Sequence, residues 1–562
     1  MSTILTLHDP QIARAYYTKG WWREDTLYSL CKRHARERPE AFALRDSCRR
    51  LTWAQLLTWV DTLAADLNAV GLKRGDRVSV WLPNRVEAVV VFLACSRNGY
   101  VCNPSLHQNY TVGEIVQLLE RIQAAVLFAQ AGYGADADRH DVFAQVGALD
   151  CIKRVYRLAP SGSAADGAVG PHAFPAQGAT PDEATLPRPD LNPDKIVYLA
   201  FTSGTTGVPK GVLHSDNTLL ANGRAMVTDW GHDQRTVIYS HSPLSHHIAT
   251  VAIEQSVTAG CELVVNDVPP GKKPLDWIIA TEATYVMGVP THAIDILADA
   301  DSRGLKTLGT VNLFYMAGSV IPPETARAFL DLGIKPQNIY GMTENGSHQY
   351  TLPDDAVETI TTTCGRAAPG YETRIFDQEN PDKEAPAGQT GEIGTRGALL
   401  TLGYFNNQMA TENSFNAGGW FMSGDLGRFD EHGNLSIVGR KKDLIIRGGH
   451  NIFPSRIENL MLRHPAVIKV AAFPIADQRL GERVCLAVIL RDGTNLEADA
   501  ALEHLEHEGL SKFDMPEYYL RMEAFPLTAS GKILKRELVE WAKLGKIAPQ
   551  ACRWVASERR KE

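Results

Sequence analysis

The stretch FTSGTTGVPKG, Phe201 to Gly211, follows directly on the apolar run IVYLA. Its hydroxyls come from Thr202, Ser203, Thr205 and Thr206, its glycines at Gly204 and Gly207 let backbone amides approach an anion, and Lys210 adds a positive charge. A phosphate cradle is the natural reading. The P-loop pattern does not fit, because it needs lysine directly after its last glycine and then Ser or Thr for magnesium. Here Val208 and Pro209 separate Gly207 from Lys210, and Gly211 follows the lysine. A flexible Gly/Thr turn would share this composition, so the decision rests on what else the chain carries.

The 562 residues exceed what one ordinary hydrophobic core supports, so two or more compact units are expected. With 44% hydrophobic and 22% charged residues the chain reads as globular. A net charge of -8 leaves no basic excess for nucleic acid or an anionic membrane surface. The apolar run AVVVFLAC, from Ala88 to Cys95, is too short to span a bilayer and reads as a buried helix. The N-terminus has no basic start followed by a long apolar segment, so the cytoplasm is expected. Nine scattered cysteines without a CxxC pair read as reduced packing residues.

Apolar runs beginning at Arg77, Ala125, Glu262, Tyr285 and Leu313 alternate with helix-like segments, the pattern of a parallel sheet covered by helices. The Pro/Gly-rich stretch from Arg157 to Lys195 is expected to connect two sheet-bearing halves. After Glu358, the runs TRIFD, GEIGTRG and GNLSIVGR suggest a smaller antiparallel or barrel-like unit. Past Gly439 a compact tail begins. The fold class is α/β: a large N-terminal domain over 1–439, with two α/β sheet subdomains and a small β-barrel-like one, then an α+β C-terminal domain over 440–562.

Four further blocks follow the opening stretch: NIYGMTEN from Asn338, GWFMSGDLGRFDEHGNL from Gly419, GRKKDLIIRGGHNIFP from Gly439 and PLTASGKILKREL from Pro526. In this order they resemble the adenylate-forming superfamily of acyl-CoA synthetases, luciferases and peptide-synthetase adenylation domains. The resemblance covers about residues 25 to 545. Within the superfamily the chain is most similar to CoA ligases of medium-chain and alicyclic acids, which carry a similar SPL-x-H segment.

The resemblance implies a two-step ligase that uses ATP, Mg2+ and coenzyme A on a small carboxylic acid, with a C-terminal domain that moves between steps. A homodimer is compatible with it. Thr202 to Lys210, with Ser203, Gly204, Thr205, Thr206 and Gly207, would wrap the β- and γ-phosphates, and Gly318, Ser319, Gly341 and Met342 would line the nucleotide site. The ring of Tyr340 would lie against adenine, Thr343 on the α-phosphate and Glu344 on magnesium. Asp425 would accept the ribose hydroxyls beside Arg440. Lys532 would offset the charge gathering on the α-phosphate and carboxylate, as a catalytic residue with Thr343, Glu344 and His246. Lys442 would be the hinge. Gly448 and Gly449 would line a passage for the CoA thiol, although a two-residue hairpin turn explains the same pair.

For the acyl pocket the resemblance points to His246, Ile248, Met287, Ala317, Gly318, Met342, Gly346 and His348. Relatives that activate amino acids carry an aspartate in the segment equivalent to SPLSHHIATV; here no acid occurs before Glu254. An acid with a neutral tail is expected, medium-chain aliphatic or alicyclic, with an aryl acid as the alternative. A carrier-protein thiol in place of CoA is the alternative acceptor, and a nucleotide sensor without turnover is the alternative from another class.

Overall fold

The computed structural model describes residues 4–163, 172–202, 209–319, 321–528 and 532–554. Five of the anticipated parallel strands form where the apolar runs lie, at Arg77–Trp81, Ala124–Gln130, Glu262–Val265, Tyr285–Gly288 and Leu313–Met316. They are buried on nearly every residue, as expected of sheets covered on both faces. The AVVVFLAC run lies in the wholly buried helix Val86–Asn98.

A six-stranded sheet runs in the order Arg154–Leu158, Ala124–Gln130, Arg77–Trp81, Val101–Asn103, Ile196–Thr202 and Lys210–Ser215. A nine-stranded sheet is centred on Val237–Ser240, Tyr285–Gly288, Leu313–Met316 and Lys335–Met342. The N-terminal hairpin of Phe42–Arg45 and Arg50–Thr52 also belongs to it, because Phe42–Arg45 pairs in parallel with Glu262–Val265. The two halves are therefore interleaved along the chain. This corrects the reading of Arg157 to Lys195, which connects two strands of one sheet rather than two halves.

Two helices lie between the sheets. Asp216–Trp230 starts at a capping box on Ser215 and ends at Gly231 in the left-handed conformation. His247–Ala259 starts at His246 and ends at Gly260, φ +69°. Gly223 of the first sits so close to the second that a Cβ there would lie 2.8 Å from the Glu254 Cβ and 2.9 Å from its carbonyl oxygen. The second helix bridges the layers: the Tyr198 hydroxyl of the six-stranded sheet meets His247 at 3.2 Å and Thr250 at 3.4 Å, while Gln255 reaches Met287 of the nine-stranded sheet at 3.5 Å.

The third unit is a four-stranded antiparallel sheet, Tyr371–Phe376, Gly391–Gly397, Phe421–Phe429 and Leu435–Arg440, whose two edge strands do not pair with each other among the described residues. A single turn, Lys441–Asp443, leads from it to a last sheet built on Ile445–Arg447, Val467–Asp477, Gly481–Leu490 and Tyr518–Arg521. That sheet has its own core, including Ile457, Val470, Leu486, Leu502 and Tyr519. A small domain with its own apolar interior can move as a body.

Candidate active site

Strand Lys335–Met342 carries Tyr340 and turns back into Gly346–Tyr350 through a bulge. Gly341 is required there, because a Cβ would sink into the Gly346 carbonyl. Gly346 itself has φ +60°, and its Cβ would lie 2.6 Å from the Asn222 amide oxygen, which accepts from the Ser347 N–H. The Tyr340 hydroxyl donates to one Asp425 oxygen at 3.0 Å, and the Arg440 Nε lies 3.2 Å from the other. Asp425 and Arg440 face each other on adjacent antiparallel strands, so the backbone sets this pair. Burial raises the Asp425 carboxyl and the Arg440 charge opposes it. His348 is buried between the rings of Tyr340 and Tyr371, 5.1 and 4.7 Å away, and burial lowers it to about 3.

The turn after Met342 places Thr343 and Glu344. Thr343 is held by its carbonyl, which accepts from the His214 Nε2 at 2.7 Å, leaving its side chain the free part. Glu344 is buried, and one oxygen accepts from the Tyr404 hydroxyl at 3.0 Å. The Lys210 ammonium lies 4.7 Å over the Tyr404 ring, so Tyr404 links the lysine that ends one motif to the acid of another. Burial raises the Glu344 carboxyl, with Tyr404, Lys210 and Arg440 opposing. Among the described residues no three His, Cys, Asp or Glu side chains converge on a metal position. One carboxylate with an oxygen still available suits Mg2+, which keeps waters and takes substrate phosphates as its other ligands.

Lys532 arrives from the last sheet. Its N–H donates to the Thr528 Oγ1 at 3.0 Å, and the Thr528 N–H donates to its carbonyl at 2.7 Å, so the segment closes on itself and holds the side chain out. The side chain lies against Gly318, φ +95°, where a Cβ would sit 2.9 Å from the lysine Cε and 3.3 Å from its Nζ. Only glycine leaves that seat open. Burial first, then the Arg440 charge, lowers the ammonium to about 8, and Asp425 opposes both. Two ion pairs also join the tail to the larger unit: Arg463 with Glu324 at 3.3 Å and Lys469 with Asp295 at 3.5 Å.

His246 caps the helix His247–Ala259, its Nδ1 accepting from the Ile248 N–H at 3.4 Å. That bond needs a lone pair, so the ring is neutral. Burial and the neighbouring Lys532 charge push its pKa well down, in agreement. Ile248, Met287 and Ala317 are all buried and belong to the main apolar core. Met342 packs instead beside Tyr340, Ile375 and Ile393.

Residues 31–405 match the family described as AMP-binding enzyme, and residues 456–532 match its C-terminal domain. The chain belongs to the AMP-binding enzyme family. It is 30% identical to a medium-chain fatty-acid–CoA ligase of Escherichia coli K12, over 95% of this chain and 93% of that one. It is also 30% identical to a 2-hydroxy-7-methoxy-5-methyl-1-naphthoate–CoA ligase of Streptomyces carzinostaticus, over 94% and 95%. The crystal structure of ATP-bound MatB from Rhodopseudomonas palustris superposes with a TM-score of 0.79 at 28% identity, over 92% of this chain and 99% of that one. These matches carry the fold class, a large N-terminal and a small C-terminal domain.

The remaining family motifs fall as follows. Ser203, Gly204, Thr205, Thr206 and Gly207 lie outside the described residues. Thr202 and Lys210, which flank them, pair directly across an antiparallel ladder. Ser319 is exposed beside Gly318, and Lys442 sits exposed in the turn between the last two sheets. Gly448 and Gly449, with φ +59° and +85°, form the two-residue turn between Ile445–Arg447 and His450–Ile452. Sequence reasoning passed over Tyr404 and His214. Both act across long sequence separations, and only their polar character in apolar surroundings could have singled them out.

Proposed function

We propose that the chain joins a medium-chain carboxylic acid of neutral tail to coenzyme A, through an acyl-adenylate. The reaction class is that of the family: AMP-forming ligation of an acid to a thiol, with ATP and CoA as co-substrates. The observation that carries the residue roles is the seat of Lys532 against Gly318, beside Asp425 and Arg440.

A carboxylate is a poor electrophile, and its attack on the α-phosphorus brings two anions together. Lys532 in this seat supplies an ammonium where that charge gathers, a stabilisation that needs no reorganisation at the moment of reaction. Thr343 adds a hydroxyl donor, and Asp425 with Tyr340 and Arg440 holds the nucleoside. Lys210 and the residues before it hold the outgoing pyrophosphate. Bound at Glu344, Mg2+ supplies charge neutralisation on the phosphates. The neutral His246 lies between Lys532 and the apolar cluster of Ile248, Met287 and Ala317, and flanks the acyl carbonyl. For the second step the tail beyond Lys442 rotates about that residue while Arg440 stays on its strand, withdraws Lys532 and brings Gly448 and Gly449 to the thiol's approach.

The medium-chain reading draws on the Escherichia coli relative and on the apolar pocket cluster, and we prefer it to an aryl acid. No helix among the described residues is long and apolar enough to cross a membrane, and we place the enzyme in the cytoplasm, where ATP and CoA are supplied. The test is to split the half-reactions: Lys532→Ala should abolish acid-dependent pyrophosphate exchange while leaving thioester formation from supplied acyl-adenylate. Equal loss of both would refute the role of Lys532.

A further inference from the structure

Two adjacent side chains on the helix His247–Ala259 have no work in the scheme above. Glu254 and Gln255 are both fully buried, at 0% exposure. Neither carboxyl oxygen of Glu254 has a hydrogen-bond partner, and the Gln255 amide oxygen has none either. The Gln255 amide nitrogen makes long contacts, 3.4 Å to the Val251 carbonyl and 3.5 Å to the Met287 sulfur, and faces the Tyr285 hydroxyl. Three orphaned polar atoms on neighbouring residues each forfeit hydrogen bonds they would have in water. A fold keeps such groups when something satisfies them in the working state.

Their position shows what that is. Ile248, Ala252 and Gln255 follow the i, i+4, i+7 stripe of one helix face; Ile248 and Ala252 are buried in the main core, and Gln255 touches the pocket candidate Met287 at 3.5 Å. Gln255 therefore stands at the far end of the stripe that begins beside His246. Gln255 lies nine positions along the helix from His246, about 13 Å, the reach of a medium acyl chain. Glu254 lies against Gly223. It neighbours the phenols of Tyr198 and Tyr315, and the Tyr315 hydroxyl meets Ser347, between the pocket candidates Gly346 and His348, at 2.8 Å.

We propose that Glu254 and Gln255 form a polar end wall of the acyl pocket, and that the acid carries an uncharged hydroxyl at the end remote from its carboxylate. This rests on the medium-chain reading above. A hydroxyl both donates and accepts: it would donate to the Gln255 oxygen and accept from the protonated Glu254 carboxyl. Burial raises that carboxyl far above its usual range with no cation to offset it, so the end wall is neutral. A second ionised carboxylate would find no counter-charge there.

The test compares a medium-chain acid with its ω-hydroxy and ω-amino derivatives of equal length, by kcat/KM in the full reaction. The wild type should prefer the hydroxy acid by about 10- to 100-fold, because a site built to bond a hydroxyl leaves its own polar groups unpaired when that hydroxyl is missing. Gln255→Met and Glu254→Met should each erase the preference and raise relative use of the methyl-tailed acid, with KM for ATP unchanged, and Glu254→Gln should restore part of it. Preference for the methyl-tailed acid, as when trapped water alone satisfies the pair, would overturn the inference and leave the medium-chain ligase intact. Preference for the amino acid derivative would overturn it in favour of an ionised Glu254. Turnover of none of the three would overturn both readings.

Discussion

The nucleotide wall and the Lys532 segment differ in how they are held. Asp425 and Arg440 stand on paired strands of the four-stranded sheet and Tyr340 on the nine-stranded sheet beside it, and two side-chain contacts at 3.0 and 3.2 Å fix them to one another. Lys532 stands on the connection between the strand Tyr518–Arg521 and the helix Lys535–Lys543 of the tail, is braced by Thr528 of its own segment, and meets the wall at a glycine with space for it. One half of the site is preorganised and permanent; the other is a portable cation with a reserved seat. A reaction whose two steps need opposite surroundings at one carbonyl calls for this division, since a fixed lysine would obstruct the thiol.

That contrast can be broken most severely by removing the cation. Lys532→Ala should slow acid-dependent pyrophosphate exchange by about 1000-fold, as loss of a preorganised charge contact does elsewhere. Filling the seat is the next largest disturbance: Gly318→Val, which also forces a branched residue to φ +95°, should cost about 100-fold in the same exchange while sparing thioester formation from acyl-adenylate. Tyr404→Phe touches the fixed half. It should raise the magnesium concentration for half-maximal rate about 10-fold by releasing Glu344.

The titration of Lys532 sharpens the comparison. Its ammonium is present below about 8 and lost above, so kcat/KM for adenylation should fall as pH rises through that value, since this parameter reports the free enzyme. Lys532→Arg should remove the limb. The smallest effect belongs to the ion pairs that dock the tail. Arg463→Ala or Lys469→Ala should change either half-reaction by under about 3-fold, because the pairs are partly exposed.

Much of this was legible in the sequence where the signal is local. Apolar runs gave the parallel strands at Arg77, Ala124, Glu262, Tyr285 and Leu313 because strands buried on both faces are apolar throughout. Gly318 and Gly341 were named for the site before their tight surroundings were visible. What escaped was long-range. The hairpin at Phe42–Thr52 joins a sheet whose other strands begin some 185 residues later, from Val237, and no local pattern announces that pairing. The stretch from Arg157 to Lys195 has a linker's composition, yet composition cannot say whether a connection leaves its sheet. Tyr404 lies 60 residues from Glu344, so their bond has no sequence signature. The polar end wall was half visible: Glu254 was noted as the first acid after His246, but its isolation from every partner is a property of the packed state.

The turn Lys441–Asp443 is only three residues long. A tether of that length confines the tail to a small volume around the cleft, so Lys532 is presented at a high effective concentration however far it has rotated. Lengthening the turn with glycine and serine should dilute that lysine and slow adenylation progressively, without altering a single residue that touches a reactant.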